Sequence, residues 1–228
     1  DLPHATVVST YCQTAGRGQR GNSWESEPNK NLSFSVLLRP QNIIARQQFY
    51  ISEAVSVAIV KTLKRYISNH RVSIKWPNDI YWHHHKLGGI LIECTLTGNN
   101  VKDSILGVGL NINQTDFENL TKNPISLKQI IHRDIDRDNL LHTIADDFAH
   151  YISMINLGHY DSIAADYMNT LYRRQGYHQY RDGDGDFLAR FITIEPSGRI
   201  VLMDEDGMLR TYAFKEVKFM IKGKNVDI

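Results

Sequence analysis

The alternation of hydrophobic and polar positions predicts two strands in the first part of the chain. Residues 5–12 are rich in β-branched side chains, and residues 32–38 alternate between apolar and polar positions before Pro40. The segment 13–31 between them is polar and glycine-bearing, and it is longer than a turn requires. We therefore expect two strands joined by a functional loop.

One helix and a strand meander are predicted for the middle of the chain. Apolar residues recur at spacings of three and four between Ile51 and Tyr66, which indicates an amphipathic helix that packs on a sheet and ends near Asn69. Turn-like residues at 83–85 and 98–100 separate strands that follow the helix. We expect an antiparallel meander with strands at residues 72–76, 80–82, 87–96 and 104–112.

Helices return only after these strands. Two amphipathic patterns cover residues 140–155 and 160–172, and past Arg174 the pattern changes to short strands. Because helices follow the strands rather than alternate with them, the order predicts an α+β fold. We expect a mixed or antiparallel sheet with helices on one side in a domain of residues 1–175. A small β-barrel is expected in a second domain of residues 176–228, with strands at 187–194, 200–203, 209–213 and 217–221.

Composition and charge exclude several classes of protein. The chain has 228 residues, 42% hydrophobic and 22% charged, as in folded globular domains and unlike disordered chains or coiled-coil rods. Its 26 Lys and Arg residues balance 25 Asp and Glu residues, so the chain as a whole lacks the positive excess that favours non-specific nucleic-acid binding, while a local basic patch stays open. The longest apolar stretch, residues 54–60 interrupted by Ser56, is too short to span a bilayer. With two cysteines and no signal-peptide pattern, we expect a cytoplasmic protein without membrane or nucleic-acid partners.

Glycine and arginine are concentrated in the loop after the first strand. Residues 16–21 hold three glycines together with Arg17 and Arg20. Glycine lets a ligand approach the backbone, and arginine offers a planar fork to phosphate or carboxylate. The spacing is that of neither a P-loop nor a dinucleotide-binding motif. The loop either binds an anion or is simply a solvated loop. The side chain of Trp24 either stacks on a ligand or packs in the core.

A second group of polar residues follows a proline that interrupts a strand. Residues 75–80 place Asn78 and Asp79 at a bend, and Lys86 opens the next strand just before two adjacent glycines. Across such a hairpin Lys86 lies near Asp79, where a lysine can stabilise a transition state or simply form a surface ion pair. The later strand at 107–113 also carries glycines and ends in amide side chains suited to a base or ribose.

Three patterns that suggest metal or thiol chemistry are interpreted as structural. The adjacent histidines at 83–85 project to opposite faces of a strand and cannot easily converge on one ion. Residues 182–186 lack the glycine and glutamate spacing of an EF-hand and are expected to form a hairpin turn. Cys12 and Cys94 lie in apolar strand contexts, so we expect buried and inert thiols.

Four motifs taken together resemble the biotin protein ligase family. They are Gln-Thr-Ala-Gly-Arg-Gly-Gln-Arg-Gly-Asn-Ser-Trp at 13–24, Lys-Trp-Pro-Asn-Asp at 75–79, Lys-Leu-Gly-Gly-Ile-Leu at 86–91 and Gly-Val-Gly-Leu-Asn-Ile at 107–112. Their order and spacing match the family, and with the C-terminal strands they cover nearly the whole chain. The resemblance implies a class II synthetase-like sheet followed by a small SH3-like β-barrel.

The resemblance also implies a reaction in two steps. Biotin is activated by ATP, with Mg²⁺ expected to enter through ATP, to give biotinyl-5′-AMP and pyrophosphate. A lysine of a biotin carboxyl carrier protein then attacks the acyl group and AMP leaves. Exposed strand edges leave a homodimer open.

Residue by residue, the resemblance implies catalytic roles for Lys86, Arg17 and Asp79. The residues implied in contacts with biotin or the adenylate are Gln13, Gly16, Arg17, Gly18, Gln19, Arg20, Trp24, Asn78, Lys86, Gly88, Gly89, Gly107, Gly109 and Asn111.

The sequence departs from the family pattern in three respects. Gln19 and Asn22 replace arginines of the glycine loop, so we expect the adenylate to be retained less strongly. The Ser-Thr-Asn segment that precedes the first strand in the family is absent before Asp1, and we expect the chain to be a piece of a longer product. No helix-turn-helix pattern precedes the first strand in these residues, although some members have such a domain.

Three alternatives remain open from the sequence. Lipoate or octanoate ligases share the fold but carry a different arginine and glycine loop. A non-catalytic biotin-binding module would have lost the chemistry that Lys86, Arg17 and Asp79 suggest. A nucleic-acid-binding role would require a salt-sensitive affinity for which the charge balance gives no reason.

Overall fold

The computed structural model describes residues 2–19, 23–41, 43–67, 71–117 and 123–221, and these ranges form two antiparallel sheets with helices. The first sheet has six strands in the order β1-β2-β6-β5-β4-β3. Its strands β3 to β6 are neighbours in chain order, which confirms the predicted antiparallel meander. The strand bounds are β1 (Thr6–Thr10), β2 (Leu32–Leu38), β3 (Val72–Lys75), β4 (Asp79–Trp82), β5 (His85–Thr97) and β6 (Asn100–Leu110).

The two faces of this sheet differ in character because its central strands alternate. In β2, Phe34 and Val36 are buried in the hydrophobic core, and the neighbouring Ser33 and Ser35 project to the opposite face. In β6, Val108 is likewise in the core, while glycines at alternate positions face the other side. One face of the sheet is therefore apolar, and the other carries mainly small side chains.

Helices cover the apolar face. The helices are α1 (Phe49–Tyr66), α2 (Leu127–Ile131), α3 (Arg137–Asn156) and α4 (Tyr160–Asn169), and α1 packs on α3, α4 and β3. The start of α3 is fixed by Asp136, whose carboxylate accepts bonds from the backbone N–H groups of Asp138 and Asn139, both at 3.0 Å. The buried carboxylate of Asp147 joins α3 to α1, accepting bonds from Thr62 Oγ1 at 2.6 Å and Arg65 at 2.7 Å.

The second sheet lies beside the first and is joined to it by buried contacts. Trp76 Nε1 donates to the carbonyl of Gly198 at 2.9 Å. Gly198 has φ +85°, and a Cβ atom there would lie 2.6 Å from the ring of Phe49, so only glycine fits this junction. The five strands, in the order β10-β9-β8-β7-β11, are β7 (Tyr177–Arg181), β8 (Asp186–Ile194), β9 (Ile200–Asp204), β10 (Leu209–Tyr212) and β11 (Lys218–Phe219).

The α+β class with helices on one side is confirmed, and the first sheet is antiparallel throughout its named strands. The sequence patterns missed β7 and the five-residue helix α2. The closed SH3-like barrel and the division at residue 175 stay predictions. No helix in the ranges given above is long and apolar enough to cross a membrane.

One expectation about the thiols is wrong. Cys12 is exposed, because the chain leaves the sheet at the end of β1 and carries this side chain into the loop. Cys94 is half-buried, and its Sγ lies 3.3 Å from Ser104 Oγ on the neighbouring strand. Burial raises the pKa of the Cys94 thiol, with a smaller opposing contribution from that hydrogen bond.

Candidate active site

A cavity of about 360 Å³ lies against the small-residue face of the first sheet. The strand register determines which residues form its floor. Gly109 is paired with Ser33 on one side and with Gly89 on the other, and Gly107 is paired with Ser35. Cross-strand partners project to the same face, so glycine and serine meet in a row across three strands. The floor is therefore flat, and a ligand can lie directly against backbone.

A lysine and a carboxylate stand at one end of this floor. Lys86 Nζ lies 2.5 Å from Asp79 Oδ1, as the hairpin between their strands predicts, and the two side chains are 16% and 23% exposed. A Cβ atom at Gly89 would lie 3.2 Å from Lys86 Nζ and 3.4 Å from Asp79 Oδ1. Glycine at this position makes room for the pair. The pair is half-buried, so its charges interact more strongly than those of an exposed surface pair.

The backbone of Lys86 is fixed from outside the cavity. Its N–H donates to the carbonyl of Asn123 at 2.9 Å, and its carbonyl accepts a bond from Ile125 N–H at 2.9 Å. The buried Asn111 side chain donates to the carbonyl of Ile125 at 3.2 Å and to that of Lys86 at 3.4 Å. Asn111 thus ties the loop at 123–125 to the strand that carries Lys86, which limits the positions available to the ammonium group.

The segment that carries Asn78 and Asp79 is anchored on both sides. The side-chain amide of Asn78 donates to the backbone carbonyl of Ile90. The backbone carbonyl of Asn78 accepts a bond from Ile90 N–H at 3.1 Å. The hydroxyl of the fully buried Tyr167 donates to the carbonyl of Pro77 at 2.8 Å. These contacts fix the bend between β3 and β4, which presents Asp79 to the cavity.

The glycine loop forms the other side of the cavity. Trp24 N–H donates to the carbonyl of Gly16 at 2.9 Å, and the Trp24 indole lies so close to Gly109 that a Cβ atom there would overlap the ring. Trp24 Nε1 is buried and has no hydrogen-bond partner among the residues that the structure describes. Arg17 lies at the rim, 75% exposed, with its guanidinium 3.3 Å from Glu93. Arg20 lies outside the described residues.

Most of the predicted site residues come together around this cavity. Its lining includes Gln13, Arg17, Gly18, Gln19, Trp24, Asn78, Asp79, Lys86, Gly89, Gly107 and Gly109. Gly16, Gly88 and Asn111 do not line it. Gly16 packs on the backbone of Trp24, and a Cβ atom at Gly88 would lie 2.6 Å from the carbonyl oxygen of Gly109. These two glycines permit close contact between backbone segments.

Sequence reasoning did not select several residues that complete the cavity. Lys75 and Trp76 lie in the motif at residues 75–79 but were not among the predicted site residues. Phe214 comes from the chain after β10 in the second sheet. A second cavity of about 310 Å³ shares five lining residues with the first, namely Gln19, Trp76, Pro77, Asn78 and Phe214. No local pattern marks Phe214, because its position depends on how the second sheet packs on the first.

The acidic and histidine-rich segments set aside above are engaged in local contacts. Asp182 accepts a hydrogen bond from Tyr212 Oη at 2.6 Å, and this bond is the main reason that the pKa of Asp182 is lowered. His84 Nδ1 lies 2.7 Å from Tyr172 Oη. Within the described ranges, no group of three or more His, Cys, Asp or Glu side chains is placed to hold a metal ion.

Comparisons of the sequence and of the fold find similarity to known ligases. Residues 1–111 match the model of the biotin/lipoate A/B protein ligase family. The chain is 28% identical over 224 residues to the bifunctional ligase/repressor BirA of Bacillus subtilis, covering 93% of this chain but 66% of that protein, just under two thirds of its length. It is 27% identical over 206 residues to the biotin–[acetyl-CoA-carboxylase] ligase of Paracoccus denitrificans, covering 86% of this chain and 82% of that protein. The fold is similar to that of the biotin protein ligase from Aquifex aeolicus in complex with biotin and ATP, with a TM-score of 0.79 at 21% identity, covering 96% of this chain and 91% of that one.

Proposed function

Because residues 1–111 match the model of the biotin/lipoate A/B protein ligase family, we propose that the chain is an ATP-dependent biotin protein ligase. It activates biotin to biotinyl-5′-AMP and transfers the biotinyl group to a lysine of a biotin carboxyl carrier protein. The observation that carries this proposal is the half-buried pair of Lys86 and Asp79 at the end of a glycine-floored cavity. Such a floor suits a flat ureido ring, and such a pair suits an activated carboxyl group.

The first step brings two anions together. An oxygen of the biotin carboxylate attacks the α-phosphorus of ATP, and the bond from that phosphorus to pyrophosphate breaks. Lys86 and Arg17 offset the repulsion between the carboxylate and the phosphates, and the N–H groups of the glycine loop add partial positive charge. Arg20 is proposed to contribute in the same way. The work of the protein in this step is positioning and electrostatic stabilisation.

The second step transfers the acyl group to the carrier protein. The amine of the acceptor lysine attacks the acyl carbon, the bond from that carbon to the phosphate oxygen breaks, and AMP leaves. Asp79 orients this amine or takes its proton, since its carboxylate lines the cavity and is 23% exposed. We further propose that residues 1–175 form the catalytic domain and residues 176–228 a C-terminal domain, which contributes Phe214 to the cavity.

Magnesium fits this site as part of the nucleotide substrate. Asp79 is the one predicted site residue with a carboxylate, and it already faces Lys86 and Lys75. Mg²⁺ is commonly held by substrate phosphates with one or two carboxylates. We therefore expect it to enter as the ATP complex. A cytoplasmic location and a homodimer formed through exposed strand edges are also part of the proposal.

The direct test of the site is the variant Lys86→Met. We expect a loss of biotin-dependent ATP–pyrophosphate exchange of roughly a hundredfold or more, the scale for one preorganised donor. The matched control is Lys128→Met. It breaks the ion pair between Lys128 Nζ and Asp134 Oδ1, which are 2.9 Å apart, and neither residue lines the cavity. Unchanged exchange in Lys86→Met would contradict the assignment of this cavity as the active site.

A further inference from the structure

Lys75 occupies an aromatic and acidic environment at the edge of the cavity. Its Nζ lies 5.3 Å from the ring centre of Tyr81 and 5.2 Å from that of Phe219. The same atom lies 4.0 Å from Asp79 Oδ2, and the Lys75 side chain is 21% exposed. An ammonium group over aromatic faces is attracted by the ring quadrupoles, and partial burial strengthens that attraction. Two rings and one carboxylate therefore fix the position of this lysine.

Strand register explains how these groups meet. Lys75 is paired with Asp79 in the hairpin of β3 and β4, and Tyr81 is the diagonal neighbour of Lys75 on the same strand pair. Phe219 comes from the second sheet, where it is paired with Tyr180 in β7. Its ring packs on Tyr180 at 5.0 Å between centres, so Phe219 is held by its own sheet. The second sheet thereby supplies one wall around a lysine of the first.

Asp79 lies between two ammonium groups. Oδ1 accepts a bond from Lys86, and Oδ2 faces Lys75. When Lys86 turns toward an activated carboxyl or phosphate, the charge of Asp79 still has a cation beside it. We propose that Lys75 is a positioning residue, which holds Asp79 in place to act on the acceptor amine during biotinyl transfer. Phe219 in turn holds Lys75 and so couples the second sheet to the active site. This inference rests on the proposed function.

The test is a double-mutant cycle on Lys75 and Phe219. For Lys75→Met we expect kcat of biotin transfer to fall roughly tenfold, with KM for biotin changed by less than about threefold, because the lost contact acts on Asp79 and leaves the glycine floor intact. Lys75→Arg keeps the cation over the rings and should stay within about threefold of the wild type. Phe219→Leu should lower kcat roughly threefold, and in the Lys75→Met background it should have no further effect.

The matched control for Phe219→Leu is Phe187→Leu, which removes another ring that stacks on Tyr180 in the same sheet. It should leave kcat unchanged and should not couple to Lys75. Additive effects of Lys75→Met and Phe219→Leu, or a kcat of Lys75→Met equal to that of the wild type, would overturn the inference alone. A wild-type chain that neither exchanges pyrophosphate with biotin nor transfers it would overturn the proposed function and this inference with it.

Discussion

Glu53 offers a sharp test of the packing beneath the candidate site. This residue lies on α1 and is 2% exposed, and its Oε2 has no hydrogen-bond partner within the part of the chain that the structure describes. Burial raises the pKa of Glu53 to about 8 from 4.5. Burial, with a smaller contribution from the nearby Glu53, raises the pKa of Tyr167, the residue whose hydroxyl donates to the carbonyl of Pro77. The folded protein therefore holds Glu53 protonated at neutral pH.

The direction of the pH dependence follows from proton binding. Between the unfolded and the folded pKa of Glu53, the folded state keeps a proton that the unfolded state has released, so stability falls as pH rises. The slope is about 1.4 kcal/mol per pH unit, and over the whole interval from 4.5 to about 8 the loss reaches roughly 5 kcal/mol. The variant Glu53→Gln carries no titratable group at this position and has the shape of the protonated acid.

Urea unfolding of both proteins measures this effect. We expect the free energy of unfolding of Glu53→Gln minus that of the wild type to increase by about 1.4 kcal/mol per unit from about pH 5.5 to about pH 7.5. The comparison cancels the titration of histidines that the two proteins share. Glu205→Gln changes an exposed glutamate and serves as the control. A difference between Glu53→Gln and wild type that stays constant with pH would refute the reasoning.

Two further substitutions test the floor of the cavity and the helix layer. Gly109→Ala places a methyl group where the Trp24 indole lies, so we expect calorimetry to show weaker biotin binding. The control Gly183→Ala places its methyl group in open space and should leave biotin affinity unchanged. Asp147→Ala removes the buried acceptor of Thr62 and Arg65 and should lower the free energy of unfolding by about 1–3 kcal/mol. The control is Asp146→Ala, at an exposed position on the same helix. Equal losses of unfolding free energy in the two variants would contradict the contacts of Asp147.

Strands with strong alternation were predictable from the sequence. The bounds of β2 match the alternating pattern at residues 32–38, since its odd and even positions face a polar cavity and an apolar core. β7 was missed because Tyr177–Arg181 mixes polar and aromatic residues with no alternation of apolar and polar positions. The helix α2 is short, and its start depends on a reciprocal pair of bonds between Ser126 and Gln129 rather than on an apolar stripe.

The candidate site was predictable where its residues lie within motifs. The neighbourhood of Lys86 and Asp79 follows from the hairpin that joins their strands. Phe214 and Phe219 could not be predicted, because they reach the site only through packing of the second sheet on the first. A contact of Asn111 with the adenylate stays a prediction, and its side-chain amide donates to the backbone carbonyls of Lys86 and Ile125.

ATP–pyrophosphate exchange with biotin, lipoate or no added acid tests the central claim most directly, because it isolates adenylate formation from recognition of the carrier protein. The account predicts exchange that depends on biotin and is lost in Lys86→Met. Exchange with lipoate alone would assign the cavity to lipoate activation instead of biotin activation. Absence of exchange with every acid, in a chain that is folded and binds ATP, would contradict the account.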